Sequence, residues 1–390
     1  MEIKKIATRE AYGKALAELG AQHPDIYVLD ADLAEATKTV LFREAFPERH
    51  IDCGIAEGNM MAAAAGMAAM GLVPFVSTFA MFAAGRAFEQ VRNSIAHTQA
   101  NVKICATHGG ITVGEDGASH QCNEDIALMR SLPGMVVMCP SDAVEARAAV
   151  QAAYAHKGPV YIRFGRFATP VIHEENASFA IGKGELLRDG KDIAILATGL
   201  MTAEALTAAD LLAAEGIQAR VINLGTIKPL DEELVLAAAR DCGKILTCEE
   251  HSVIGGLGEA VCALLAEKEP CPVRRMGMQD AFGTSGPAAG LLKHFHLTGA
   301  DIARAAREMV GICGRAMPAP TRKMRNTPRR KRPVRFAGRV FFKKEEQSVL
   351  CCLIRRRIPL PSRSCRLLRS RLLQPWCSSC PACWLCGWRS

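Results

Sequence analysis

The sequence predicts an α/β protein: two consecutive three-layer α/β/α domains with mostly parallel sheets, followed by an atypical basic, Cys-rich tail. Three observations carry that expectation. Short β-branched runs alternate with Ala-rich helical stretches, the pattern of parallel α/β architecture. The alternation breaks once, at residues 173–191, where polar residues accompany Gly182, Gly184 and Gly190, and then resumes. Charge and cysteine content change abruptly near residue 310.

In the first domain, residues 1–172, strands fit 26–29, 73–79, 102–107, 134–139 and 160–163. Helices fit 8–19, 57–70, 82–96, 124–130 and 142–155. The helix at 57–70 is made almost entirely of Ala, Gly and Met. With no polar face it is expected to be buried all round, at an interface. The charge-free run from Gly58 to Gly85 is long enough to span a bilayer. Ala and Gly dominate it, however, and Pro74, Ser77 and Thr78 break it, so a buried helix, a turn and a buried strand are expected instead. Residues 173–191 read as an interdomain linker. In the second domain, residues 192–310, strands fit 193–197, 218–223, 245–249 and 273–277. Helices fit 202–214, 232–239, 257–265 and 300–309, the last opened by Thr298 three residues before Asp301 in a capping-box-like pattern.

The 390 residues carry a formal charge of +8 that is very unevenly placed. Residues 311–390 hold 20 of the 48 Lys and Arg but only two of the 40 acids. The first 310 residues therefore carry 28 basic and 38 acidic groups, a net −10. A mildly acidic body gives no reason to expect a nucleic-acid partner. Its cysteines are scattered without close pairs, as reduced cytosolic thiols are. The opening ten residues lack the apolar core of a signal peptide, and the body is expected to be cytoplasmic with no membrane partner. The tail holds Arg329-Arg-Lys-Arg332, Arg355-Arg-Arg357 and Cys377, Cys380, Cys383 and Cys386 at successive CxxC spacing. A nucleic-acid segment or a metal site are the sharp readings, but the ferredoxin spacing is not met. Translation of GC-rich DNA in a shifted frame, giving a non-native or disordered tail, explains Arg, Pro, Cys, Ser and Trp together without hydrophobic periodicity.

Neither domain holds a strand–GxGxxG–helix unit or a GxxxxGK[ST] loop. HExxH and GxSxG are absent too, and the body has no CxxC, so any electron-sink chemistry must come from a cofactor and no metal site is expected in the body. Four places concentrate polar residues at strand ends, where open α/β sheets bind ligands. Glu57 opens the Ala-rich helix; it is either a dipole-matched cap or a desolvated carboxylate suited to sharing a proton. Phe79 and Phe82 stand at i and i+3, a spacing more common in cores than in ligand platforms. Residues 107–120 combine four Gly, two acids and two His directly after a strand, the mark of a functional loop. Arg163 and Arg166 end a strand, where either could bind an anion or pair with a neighbouring acid.

Taken in order, Ala7-Thr-Arg9, Ala31-Asp-Leu33, Gly54-Ile-Ala-Glu-Gly-Asn-Met60, Ser77-Thr-Phe79, Gly114-Glu-Asp-Gly-Ala-Ser-His-Gln121 and Arg130-Ser-Leu-Pro-Gly134 resemble the C-terminal half of transketolase. The resemblance runs from about residue 5 to residue 310 and is strongest to the C-terminal subunits of split transketolases. It implies a pyrimidine-binding domain over 1–172 and a transketolase C-terminal domain over 192–310. It further implies transfer of a two-carbon ketol unit between phosphosugars with thiamine diphosphate as cofactor. By the same resemblance Glu57 bonds the aminopyrimidine ring, Phe79 and Phe82 surround it with Phe82 stacked, and Asp32 belongs to the cofactor and subunit interface. Asp116 and His120 contact the donor's hydroxyls and reacting carbons, while Arg9, His108 and Arg163 hold the sugar phosphate. Mg²⁺ and the diphosphate are then expected on a partner subunit of N-terminal-half type, in a heterotetramer with a homodimeric contact between like chains.

The sequence departs from the family at two of these places. Ala36 stands where a phosphate-site serine is expected, leaving that contact missing or supplied by Thr37, and Ala118 stands where the family has Pro. The run Glu249-Glu-His-Ser-Val-Ile-Gly-Gly-Leu-Gly258 resembles the C-terminal domain of the same enzymes, where it serves packing and assembly. Alternative readings are a deoxyxylulose-phosphate synthase-like or 2-oxo acid dehydrogenase β subunit, or a non-catalytic binding protein that keeps the fold.

Overall fold

A computed structural model describes residues 4–313. Of the tail expected over 311–390, residues 311–313 end helix Gly299–Cys313 and the rest lie outside the described residues. The strands are β1 (Lys5–Ala7), β2 (Ile26–Asp30), β3 (His50–Asp52), β4 (Val73–Phe79), β5 (Lys103–Thr107), β6 (Val136–Met138) and β7 (Val160–Arg163). They continue as β8 (Ala168–Pro170), β9 (Glu185–Arg188), β10 (Ile193–Ala197), β11 (Ala219–Asn223), β12 (Thr226–Lys228), β13 (Ile245–Ser252) and β14 (Val273–Met278). The first sheet runs β12-β6-β7-β5-β4-β2-β3 and the second β14-β13-β10-β11-β9, while β1 and β8 form a separate antiparallel pair. Within the two large sheets every pairing is parallel except β12 with β6 and β11 with β9.

The parallel arrangement follows from the residues. Strands β4, β5, β7 and β10 are buried at every position, as mostly apolar central strands are when helices cover both sheet faces. The intervening helices turn Ala-rich faces inward. Helix Ala143–Ala155 begins where Asp142 accepts a hydrogen bond from Glu145 N at 2.9 Å. Helix Gly299–Cys313 begins with a reciprocal cap, Thr298 Oγ1 donating to Asp301 Oδ2 at 2.6 Å while Asp301 N donates back to Thr298 Oγ1 at 3.4 Å. One apolar cluster runs from Met60, Val91 and Ile104 through Leu132 and Met135 into Leu196, Leu224 and Val235. The seam between the domains is therefore core rather than a wet hinge.

Several elements differ from the sequence-based expectation. Residues 185–188, inside the stretch read as a linker, form β9 and close one edge of the second sheet. Strand β12, from the second half of the chain, pairs with β6 and belongs to the first sheet. The stretch 82–96 is not one α-helix. It holds two π-helical turns, Phe82–Arg86 and Val91–Ala96, around a short α-turn, Phe88–Gln90. Helix Glu57–Ala69 is not buried all round in this chain. Glu57, Met60, Met61 and Ala64 face inward, whereas Met70 just beyond it is 83% exposed and Ile55 just before it 74%. Among the described residues no helix is long and apolar enough to cross a membrane.

Candidate functional site

The candidate site lies at the carboxyl edge of the first sheet, where β2, β4, β5 and β7 hand over to loops. Strand β4 delivers Phe79 at its end, and the π-turn follows directly, with Ala87 N donating to Phe82 O five residues back. The wider turn re-aims the side chains that follow it. The Phe79 and Phe82 rings lie nearly parallel, 12° apart with centroids 5.7 Å from each other. The His108 imidazole stacks on Phe79 at 3.8 Å. His120 stands edge-on to Phe82 at 5.6 Å and to Phe79 at 6.4 Å. Four rings thus form one platform, and the two His come from the polar loop after β5.

Glu57 borders this platform from the start of its helix. Its carboxylate is 1% exposed, and both oxygens accept from Arg86 Nη1, at 2.8 and 2.9 Å. The same guanidinium lies over the Phe82 ring at 4.5 Å, a cation–π contact. Arg86 therefore covers at once the carboxylate and the aromatic face. Sequence reading did not single it out, although its position four residues after Phe82 puts the two on one helical face.

A positive edge lies across the loop. Arg9 donates to Ala36 O at 2.7 Å from Nη1, while its buried Nε has no partner. Burial and the neighbouring Arg166 both lower the Arg9 pKa. Burial, reinforced by Arg9, Arg166 and His120, pushes His108 down to about 3. His108 is consequently a neutral ring at ordinary pH, and its Nδ1 is engaged with Thr107 Oγ1 at 2.8 Å. A desolvated cation with an orphan donor, facing another cation, suits an anionic ligand. Arg166 also donates to Val113 O and reaches Asp116 at 3.5 Å.

The structure gathers Glu57, Phe79, Phe82, His108 and His120 around the platform, with Asp116 on the same loop and within reach of Arg166. Asp116 is exposed, and His120 Nδ1 pairs with Ser119 Oγ at 3.0 Å. Asp32 lies apart, over β2 and β3, in an open pocket of about 180 Å³ shared with Glu35, Arg43 and Asp52. One alternative is excluded and one assignment needs correction. Thr37 does not replace the missing serine hydroxyl, because its Oγ1 is buried and its single proton is taken by Asp30 Oδ2 at 2.9 Å or Leu33 O at 3.0 Å. Arg163 is not free for a sugar phosphate either. Its Nε pairs with the buried Asp125 at 2.9 Å, and its Nη2 donates to Cys122 O at 3.1 Å and Glu250 O at 2.9 Å. Burial opposes its charge, but the Asp125 carboxylate more than offsets this and raises its pKa. Of the two arginines that end β7, Arg166 is the one turned toward the loop.

The chain matches two family models, "Transketolase, pyrimidine binding domain" over residues 4–171 and "Transketolase, C-terminal domain" over residues 182–302. A Methanocaldococcus jannaschii protein provisionally named a transketolase C-terminal section is 47% identical over 303 residues, 77% of this chain and 95% of that one. The 6-deoxy-6-sulfo-D-fructose transketolase subunit of a Clostridium strain is 46% identical over 301 residues, 77% of this chain and 94% of that one. A solved split gene transketolase, an inactive beta4 tetramer, superimposes with a TM-score of 0.74 at 53% identity, over 78% of this chain and 99% of that one. Human transketolase is 40% identical over 310 residues, which are 49% of its length.

Proposed function

The chain belongs to the transketolase family, and from that premise we propose that it is the C-terminal half of a split enzyme. A partner subunit of N-terminal-half type completes it, in a tetramer, and the pair moves a two-carbon ketol unit between phosphosugars. The observation that carries this reading is the buried Glu57 carboxylate set beside the Phe79–Phe82–His108–His120 platform. These residues fit one half of thiamine diphosphate: Phe79 and Phe82 would hold the aminopyrimidine and Glu57 would bond its ring nitrogen. The diphosphate and Mg²⁺ fall to the partner. Bound there, the cofactor supplies an electron sink for carbon–carbon bond cleavage.

The chain's own residues do the rest. Glu57 sits where water is excluded, so a bond between its carboxyl oxygen and the ring nitrogen would not be contested by solvent. His120 Nδ1 is occupied by Ser119, which leaves Nε2 to bond a donor hydroxyl or to pass a proton there. Neutral His108 orients rather than charges the substrate. Arg9, with its unpartnered Nε, and Arg166 bind the terminal anion of the sugar. The absent serine hydroxyl at Ala36, together with the consumed Thr37, supports a second reading of that anion as a sulfonate. The eight unpaired cysteines among the described residues support a reducing, cytoplasmic setting.

The test is reconstitution with an N-terminal-half subunit and assay of ketol transfer from phosphorylated and sulfonated ketoses. The pair is expected to be active and each half alone inactive. Glu57→Ala should abolish turnover; unaffected turnover in that variant, or full activity of this chain alone, would overturn the reading.

A further inference from the structure

The loop from Thr107 to His120 carries His108, Asp116 and His120 on a backbone whose own bonds are short turns, Gly114 N to Ile111 O, Gly117 N to Gly114 O and His120 N to Gly117 O. His108, Gly110, Gly114 and Gly117 all have positive φ, between 60° and 89°. From its own domain the loop is tied by Gly110 N to Cys122 O at 2.8 Å and by Arg166 to Val113 O. Gly109 N also donates to Phe164 O at 3.3 Å, and Gln121 Nε2 to Ile111 O at 3.0 Å. Further ties come from the second domain. Thr112 N donates to Glu250 Oε1 at 2.6 Å, across 138 residues of sequence. Gln121 Nε2, at the loop's far end, donates to Thr284 O at 2.9 Å. Glu250 is buried on β13 between Glu249 and His251, with the Arg163 charge nearby, so its carboxylate needs partners. It reaches the loop only because Gly110 has no side chain; a Cβ at that position would sit 2.3 Å from the Glu250 carboxyl carbon.

We infer that Glu250 is a positioning residue for the substrate loop: its carboxyl oxygen, by accepting Thr112 N–H across the domain seam, fixes the turn that aims His108 and His120 at the aromatic platform. The second domain therefore takes part in donor binding as well as in packing. Burial pushes the Glu250 carboxyl up to about 7, with Arg163 pulling the other way. The role needs an acceptor, not a charge, so a neutral amide is a fair replacement. The inference rests on the functional reading above, and its test separates the two.

The first measurement needs no activity: hydrogen–deuterium exchange of the full chain, read at residues 108–121. Glu250→Ala is expected to speed exchange at Thr112 at least tenfold, and Glu250→Gln to leave it near wild type. In the reconstituted pair, Glu250→Ala should raise the donor KM about tenfold with a smaller change in kcat, and Glu250→Gln should rescue it. Tyr161→Phe, which removes a 2.7 Å bond to Asp125 in the same seam, serves as the control that lowers the melting temperature without moving the donor KM. Unchanged exchange in Glu250→Ala overturns the inference. So does a glutamine variant as impaired as the alanine, or a Tyr161→Phe variant with the same rise in KM. A wild-type pair without ketol transfer would sink the functional reading and leave the exchange result to judge Glu250.

Discussion

Replacing Arg163 by Met distinguishes a structural arginine from a substrate ligand. The substitution keeps an unbranched apolar stem against Gly109, where an added Cβ would lie 2.4 Å from Arg163 Nε, and removes the guanidinium. Asp125 would then keep only the Tyr161 hydroxyl, since its Oδ1 already lacks a hydrogen-bond partner. An unpaired buried carboxylate costs about 3–5 kcal/mol. The carbonyls of Cys122 and Glu250 each lose a donor, at roughly 1 kcal/mol apiece. The sum is about 5 kcal/mol or more, a large part of the roughly 5–15 kcal/mol that holds a domain folded. At roughly 2–4 °C per kcal/mol for chains of this order, the melting temperature should fall by about 10 °C or more. Adding Asp125→Leu removes the stranded charge and should restore most of the loss. The assay is thermal unfolding of the single and double variants beside the donor KM of the reconstituted pair. A single variant that melts with wild type yet needs far more donor sugar would refute the reasoning and return Arg163 to the substrate.

Other outcomes follow from the same geometry. Gly110→Ala forces a Cβ onto the Glu250 carboxylate at a φ of +80°, so it should raise the donor KM and cost about 1–2 kcal/mol from the backbone alone, measured by melting. Phe82→Ala removes the ring stacked between Phe79 and Arg86 and should weaken thiamine diphosphate binding to the pair about tenfold, roughly 1.4 kcal/mol, read by cofactor titration. Burial lowers the pKa of His173, but its bond to Asp142 dominates and raises it to about 9. Burial raises the pKa of Asp142, yet its bond to His173 brings it down to about 2. The His173 contribution is full below its unfolded value of about 6.5 and is lost as pH rises through 9. The Asp142 contribution is present above about 4 and is lost as pH falls through 2. Stability should therefore decline between pH 6.5 and 9, and His173→Gln should flatten that decline in denaturation curves.

How much was legible depends on how local each signal is. Strands such as β4, β5, β7 and β10 announce themselves because burial on both faces favours runs rich in apolar, β-branched residues. Edge strands β3, β9 and β12 have three or four residues, too few to show a period, and their pairing is decided by partners far along the chain. The helix read over 82–96 fits helical spacing well; the π-turns that break it shift backbone bonds by one residue without changing which residues are apolar. Within the site, Glu57, Phe79, Phe82 and His108 were visible because each stands at or beside a strand end or helix start, and His120 because it shares the Gly-rich polar loop with His108. Arg163 and Arg166 were equal candidates in sequence, since neither Asp125 nor the seam that buries it can be seen there. Arg86 had a signal, its spacing from Phe82. Glu250 had a weaker one: three ionisable residues, Glu249 to His251, ending a strand that is otherwise apolar.

Strand β12 makes the two halves of the chain hydrogen-bonded neighbours in a single sheet. A protease cut or a fragment boundary between residues 173 and 191 would not release two finished modules. It would strip a strand from β6 and leave that edge's amide and carbonyl groups open to any passing strand. The first domain expressed alone should therefore self-associate through β6, whereas the intact chain keeps this edge capped by its own second half.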